Sequence, residues 1–434
     1  MRTSARAEWD PLTDVMIHRP GIEMFFGLLE PYSFLYERAF SMDAAVYEHT
    51  TLEHALEEAG VRVHRLKRGA VQGARDHPEL VRRVRRAAVD LVKFEAPPDL
   101  LPRVRKAFRE NVERLDPETL FNIFLLRPRV RLTEHKGERV ILPQVELEVP
   151  LANLLYLRDQ QALGPNGFIL GSMSKPQRRG EPMLTGSILT WMGAEILGRV
   201  RPPGTFEGGD FLPAGEFALL GLGDRTNHEG VRQILKMDLG FREVAVVHQP
   251  SHPLIPGDER DPMVDMHVDT YFNLAGDGVA VGLVPLLERA RVDRYRRSGR
   301  GYRLVGPPTT LLGFLKEKDF TVVPLTTLEQ LSYASNFLCL KDRKILAVDA
   351  ERTARPVLQG LARAAQGDPH RYGALLRQAR QDLKALQAGG SFFPHKPELY
   401  AEKVETIPLD LRELTGSYGG AHCMTCALNR TPKG

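Results

Sequence analysis

Ser417-Tyr418-Gly419-Gly420-Ala421-His422-Cys423-Met424-Thr425-Cys426 sets one of only three cysteines in 434 residues directly after a glycine-rich turn, three positions past Gly420. Glycine tolerates positive φ and close backbone approach, so such a turn can present a side chain into a pocket. A thiol presented there is a candidate nucleophile, because cysteine is partly thiolate at neutral pH. A buried structural cysteine is the plain alternative. Met266-His267-Val268-Asp269-Thr270-Tyr271-Phe272 reads as a strand by its β-branched and aromatic content, with His267 and Asp269 on one face. That pairs an imidazole with a carboxylate, an arrangement suited to acid/base work, against the alternative of a solvated surface strand. Glu207 and Asp210 flank a Gly-Gly turn, and Arg158-Asp159 ends the apolar run from Asn153; alone, the first also reads as a generic acidic turn and the second as a strand end with a surface ion pair.

In this order the segments resemble the guanidine-modifying enzymes, and among them the arginine deiminases. The matching stretches are Asn153 to Asp159, Phe206 to Asp210, Gly223 to Asn227, Met266 to Thr270 and Gly419 to Cys426, with Val15 to Gly21 similar to that family's opening strand. Each is short, but five in order form a specific signal. The resemblance implies hydrolysis of a guanidinium group. That carbon is a poor electrophile, and paired carboxylates would hold the group in plane and aim it at a nucleophile. Carried over to the matching positions, Asp159 and Asp269 form this fork and Cys423 attacks. His267 protonates departing ammonia and then deprotonates water, and Glu207 orients the imidazolium. No metal or organic cofactor is needed for these steps.

The far end of the substrate would be an amino-acid carboxylate, which the family holds with an asparagine and two arginines. The matching positions are Asn153, Arg178 and Arg225, with Arg179 adjacent to Arg178 as the competing choice. A planar guanidinium suits a carboxylate better than an ammonium does. Free arginine is then expected ahead of agmatine or a methylated arginine. The chain departs from the family at Tyr418, where an arginine is common, and at Ala427, where a proline is common. The first change implies altered loop gating or recognition. An amidinotransferase, passing the amidino group to an amine through the same thiol, is the second reading, and a non-catalytic guanidine-binding protein is the third.

Cys423 and Cys426 also fit a redox pair or half a zinc site. The first lacks its βαβ setting, and the second lacks ligands beyond Cys339 and the adjacent His422. Three cysteines exclude a disulfide scaffold. A net charge of +4 gives little reason to expect nucleic acid, and the basic run Arg82 to Arg86 falls opposite the apolar positions of one helix. No run reaches the length of a membrane span, and residues 1–9 lack an apolar signal core. A cytoplasmic protein acting on a small guanidino molecule is expected, with no membrane partner and with homo-oligomer formation left open.

Positioning residues so far apart requires many short elements. The pattern predicts a strand, a loop, a helix from Asp43 to Ala59 closed by Gly60, and another strand before Leu66. Residues 73–128 read as helical, punctuated at His77-Pro78 and Pro97-Pro98. Later come a helix over 229–240, strands over 278–284 and 320–324, a helix over 311–318, and two strands within 337–348. A charged helical stretch over 355–388 is broken at Gly367-Asp368-Pro369. This defines an α/β protein. The resemblance implies a five-bladed pseudo-symmetric α/β propeller, residues 1–72 and 129–434, carrying a helical insertion, residues 73–128.

Overall fold

Five sheets of the computed structural model repeat one plan: an antiparallel pair of strands, then a helical crossover, then a third strand parallel to the second. The structure describes residues 3–432 except 77, 136–139, 258–260, 262, 263 and 265, so His77 of the predicted helix break lies outside the described residues. The plan is clearest in Gln161–Gly164, Gly167–Leu170 and, after helix Glu181–Trp191, Ile196–Arg199. It recurs in Phe211–Ala214, Phe217–Leu222 and Glu243–His248, where Arg291–Ser298 and Gly301–Leu304 extend the sheet. Phe272–Gly276, Val279–Gly282 and Thr321–Pro324 form the next unit, and Leu338–Lys341, Lys344–Val348 and Glu405–Leu409 the fourth. The fifth joins distant parts of the chain: Cys426–Arg430 runs antiparallel to Leu12–Ile17, which lies parallel to Arg62–Arg65.

Parallel strands covered on both faces carry near-continuous apolar runs, as Phe217–Leu222 does with every residue buried. The crossovers are capped as their sequences dictate. Ser41 accepts a hydrogen bond from Ala44 N to start Met42–Glu58, and Gly60 follows it at φ 81°. Asp368 ends helix Ala350–Gly367 and caps Pro369–Gly389 through Arg371 N. Residues 66–126 hold helices Leu66–Asp76, Pro78–Leu91, Leu101–Val112 and Pro117–Leu126, with the short strand Lys93–Glu95 pairing Pro128–His135. On Pro78–Leu91, Arg82, Arg83 and Arg86 are exposed while Val84 and Ala88 are buried, the amphipathic division expected.

Three expectations are corrected. The stretch before Arg62–Arg65 contains a helix, Ile22–Leu29, where a loop was expected. The helix after Asn227 stops at Ile234. Residues 266–271 are not a strand: Val268–Thr270 is a single 3-10 turn, and the strand begins at Phe272. Polar groups intercept the backbone there, since Val268 N donates to Asp210 Oδ1 and His267 N to Thr270 Oγ1. His267 and Asp269 therefore do not share a strand face.

The plan also sets where chemistry can gather. Asp159, Glu207, Asp269, Asn336 and Cys423 each lie just before the first strand of one of the five units. Among the described residues, no helix is long and apolar enough to cross a membrane.

Candidate active site

Cys423 is buried in the turn preceding Cys426–Arg430. The glycine pair serves it by lacking Cβ atoms rather than by unusual φ. A Cβ on Gly419 would stand 2.4 Å from Tyr156 Cε1, and one on Gly420 would stand 2.8 Å from Asn336 O. The left-handed residue is instead Tyr418, at φ 70°. Cys423 Sγ lies 3.7 Å from Asp269 Oδ2 and accepts a hydrogen bond from Asn336 Nδ2 at 3.1 Å. Burial, followed by the carboxylates of Asp269 and Asp159, pushes the thiol well above its ordinary pKa. Asp269 is itself held by His422 Nδ1 at 2.7 Å, and despite burial this contact keeps its carboxyl below the usual range. Behind His422, Glu8 receives Arg158 at 3.0 Å and Arg430 at 3.1 Å.

His267 sits among anions. Its Nε2 is 3.0 Å from Glu207 Oε2 and its Nδ1 is 3.8 Å from Asp159 Oδ1. Burial disfavours the imidazolium, but Asp159, the Glu207 hydrogen bond and Asp210 outweigh it and raise the ring to about 9. Burial likewise opposes the Glu207 anion, yet Arg225, His267 and Arg178 hold that carboxyl far below its normal value. Because His267 titrates higher folded than unfolded, its contribution to stability is complete below about pH 6.5 and is lost as pH rises through 9. Melting temperature is expected to decline across that window more in the wild type than in His267→Asn. Equal declines would remove the imidazolium assignment.

Arg178, not Arg179, is the buried arginine. It differs from the expected carboxylate binder in facing other protein groups. Nη1 donates to Asp159 Oδ2 at 2.6 Å, and Nε and Nη2 donate to Glu181 at 3.0 and 2.8 Å. Burial raises Glu181 to about 7 against the pull of Arg178. Arg225 is less engaged, with Nη1 3.7 Å from Glu207 and Nε 3.4 Å from Asp224. Asn153 donates to Phe34 O at 2.8 Å. Asn153, Asp159, Arg178 and Arg225 line one cavity of about 130 Å³ whose walls include Tyr32, Tyr36, Tyr156 and Tyr418. Asp159 thus belongs both to this cavity and to the buried cluster around His267.

Asp159, Glu207 and His267 also offer one ligand atom each within 4.8 Å of one another. Arg178 and Arg225 already bring positive charge to the two carboxylates. Cys339, Cys423 and Cys426 are free thiols, and burial raises Cys426 to about 12, as expected of a packed, inert side chain. Reading the sequence missed Asn336, Glu181 and the His422–Asp269 contact. Glu181 carried a signal, the i,i+3 spacing from Arg178, whereas Asn336 lay in Ser335-Asn336-Phe337 with none.

Solved structures share this architecture across nearly their whole length. SxtG, an amidinotransferase from Microseira wollei, is 13% identical with a TM-score of 0.51, the match covering 99% of this chain and 98% of that one. The N-terminal domain of ArgZ, covalently bound to a reaction intermediate, is 12% identical at TM-score 0.51, covering 96% of this chain and 98% of that domain. These likenesses concern the fold, which is the α/β pentein fold. Sequence goes further. The family model for arginine deiminase matches residues 32–430, and the chain belongs to the arginine deiminase family. It is 28% identical to an arginine deiminase of Halobacterium salinarum, covering 100% of this chain and 97% of the relative. An arginine deiminase of Limosilactobacillus reuteri is 22% identical over 56% of this chain and 60% of its own. The protein is a hydrolase acting on guanidino C–N bonds.

Proposed function

We propose that the protein converts L-arginine, or a close guanidino amino acid, to the ureido acid and ammonia through a covalent intermediate on Cys423. One observation carries this reading: a raised thiol and a raised imidazole share a buried cluster with two incompletely used carboxylates. Asp159 Oδ1 and Asp269 Oδ1 are buried without hydrogen-bond partners among the described residues. Two such oxygens suit the N–H groups of a guanidinium, whose positive charge would also cancel the repulsion that keeps the thiol protonated.

As the guanidinium binds, Cys423 gives its proton to solvent, and the thiolate attacks the guanidinium carbon, forming a C–S bond while the C=N π pair moves onto nitrogen. His267, an imidazolium below about pH 9, gives its proton to the departing nitrogen, and ammonia leaves as the C–N bond breaks. The S-linked amidino group remains. Neutral His267 takes a proton from water, the hydroxide adds to the carbon, and collapse breaks the C–S bond and expels the Cys423 thiolate, while the hydroxyl proton passes to solvent, where ammonia takes it up, leaving the ureido carbonyl. Glu207 keeps the ring oriented and charged. Arg225 and Asn153 would meet the amino-acid end, with Arg178 acting on that end through the placement of Asp159. Tyr418 lines the same cavity without supplying charge.

Arg225→Leu is expected to lower kcat/KM for L-arginine by about 10–100-fold, the worth of a charge-assisted hydrogen bond, with agmatine little affected. Equal losses on both substrates would mean that Arg225 acts through Glu207 alone. The five repeats are read as blades of a pseudo-symmetric propeller formed by residues 1–72 and 129–434, with 73–128 inserted. The setting is read as the cytoplasm and the partner as a small molecule. Incubation with L-arginine alone tests the function. Citrulline and ammonia in equal amounts support it. A Cys423 amidino adduct that persists until an amine is added would replace hydrolysis by amidino transfer, and neither product nor adduct would sink both.

A further inference from the structure

The geometry points to Asn336 as the residue that positions the nucleophile and stabilises its thiolate, a role that rests on Cys423 being the attacking group. Asn336 is buried just before strand Leu338–Lys341, the same place in its unit that Asp159, Glu207, Asp269 and Cys423 hold in theirs. Its side chain is fully used. Oδ1 accepts from Gly420 N at 2.8 Å and from Cys423 N at 3.0 Å, and Nδ2 donates to Cys423 Sγ at 3.1 Å. Its backbone carbonyl accepts from His422 N at 3.1 Å. The amide orientation follows from its partners, since two backbone N–H groups require the oxygen on their side. One residue therefore holds both ends of the nucleophile turn and aims a donor at sulfur.

The donor matters because the surroundings otherwise oppose ionisation. Burial, Asp269 and Asp159 all disfavour the thiolate; the Asn336 hydrogen bond acts in the other direction, followed by the charge of Arg158. Sulfur carries negative charge twice in the proposed cycle, before attack and again when it is expelled. In the S-linked intermediate it carries none. Asn336 Nδ2 thus interacts more strongly with both charged forms than with the intermediate, and losing it should slow formation and breakdown alike.

Alkylation of Cys423 by iodoacetamide, followed against pH on the free enzyme, reads the thiolate directly and needs no substrate. Asn336→Leu removes both functions of the amide at similar volume. Asn336→Asp keeps an acceptor for the two N–H groups but loses the donor. In each, the alkylation profile is expected to move to higher pH, with rates at neutral pH down about tenfold or more, the effect of a hydrogen bond to a charged group. With L-arginine, kcat should fall further than KM changes. Folding is checked by circular dichroism and thermal melting, and if the leucine variant does not fold, the aspartate variant carries the test. A folded variant that alkylates with the wild-type profile overturns the proposal, because a purely structural amide would leave the thiol unchanged. If the wild type alkylates as expected but never turns over a guanidine, the function reading fails while the Asn336 assignment stands.

Discussion

Cys423→Ala should reduce citrulline and ammonia formation by about 10⁴-fold or more, while the variant remains folded and still binds L-arginine. The size follows from what is lost. Removing a proton donor or an orienting charge slows a step, but in the proposed cycle removing the sulfur removes the bond on which both half-reactions depend. Folding should survive because the turn is held by backbone contacts that alanine keeps: Cys423 N to Asn336 Oδ1 at 3.0 Å and Arg158 N to Cys423 O at 3.0 Å. Binding should survive because the expected contacts to the guanidinium are carboxylates. Calorimetric titration of the variant with L-arginine, beside a product assay, separates these claims. Turnover above about one per cent of wild type would remove Cys423 from the nucleophile's role.

Arg178→Met should cost about 3–5 kcal/mol of stability, the price of leaving buried charge without its partner. Asp159 and Glu181 are fully buried and each hydrogen-bonds Arg178, while Glu207 lies 4.0 Å from it. A methionine fills the volume and supplies none of the charge. The loss should depend on pH in a definite direction. Burial already raises Glu181 to about 7 against the pull of Arg178, and without that pull it titrates higher still, so the folded state binds an extra proton and gains stability as pH falls. Urea unfolding at pH 5 and pH 8 should show the smaller deficit at pH 5, and Arg178→Met with Glu181→Gln should be less destabilised than the single variant. A deficit independent of pH would mean that the arginine acts through packing alone.

Chemistry was more legible in the chain than contact. Cys423, His267 and Glu207 announce themselves by residue type and by glycine turns, and the structure brings them together with Asp159 and Asp269. Helix boundaries with strong punctuation, such as Gly60 and Gly367-Asp368-Pro369, also lie where the sequence suggests. Residues 266–272 misled because β-branched and aromatic content cannot register that Asp210, distant in the chain, captures Val268 N. Arg178 reads from the sequence as a site arginine and its i,i+3 spacing hints at Glu181, yet its engagement by Asp159 depends on a three-dimensional charge balance that no local pattern encodes. Asn336 was invisible for a similar reason. A neutral amide carries no chemical flag, and only its place before the fourth unit's first strand sets it beside the others.

The seam between Cys426–Arg430 and Leu12–Ile17 imposes an order of events. Asn429 Nδ2 donates to Thr13 Oγ1 across 416 positions of chain, and such contacts close late because the entropy of the intervening loop must first be overcome. Cys423 lies only just before that seam. Until it closes, the thiol has neither the Asn336 donor nor the Asp269 neighbour, and it behaves as an ordinary cysteine. The shifted, substrate-dependent thiol is therefore a property of the finished molecule. The closure works as an interlock that keeps the Cys423 environment from existing in chains still searching for their fold.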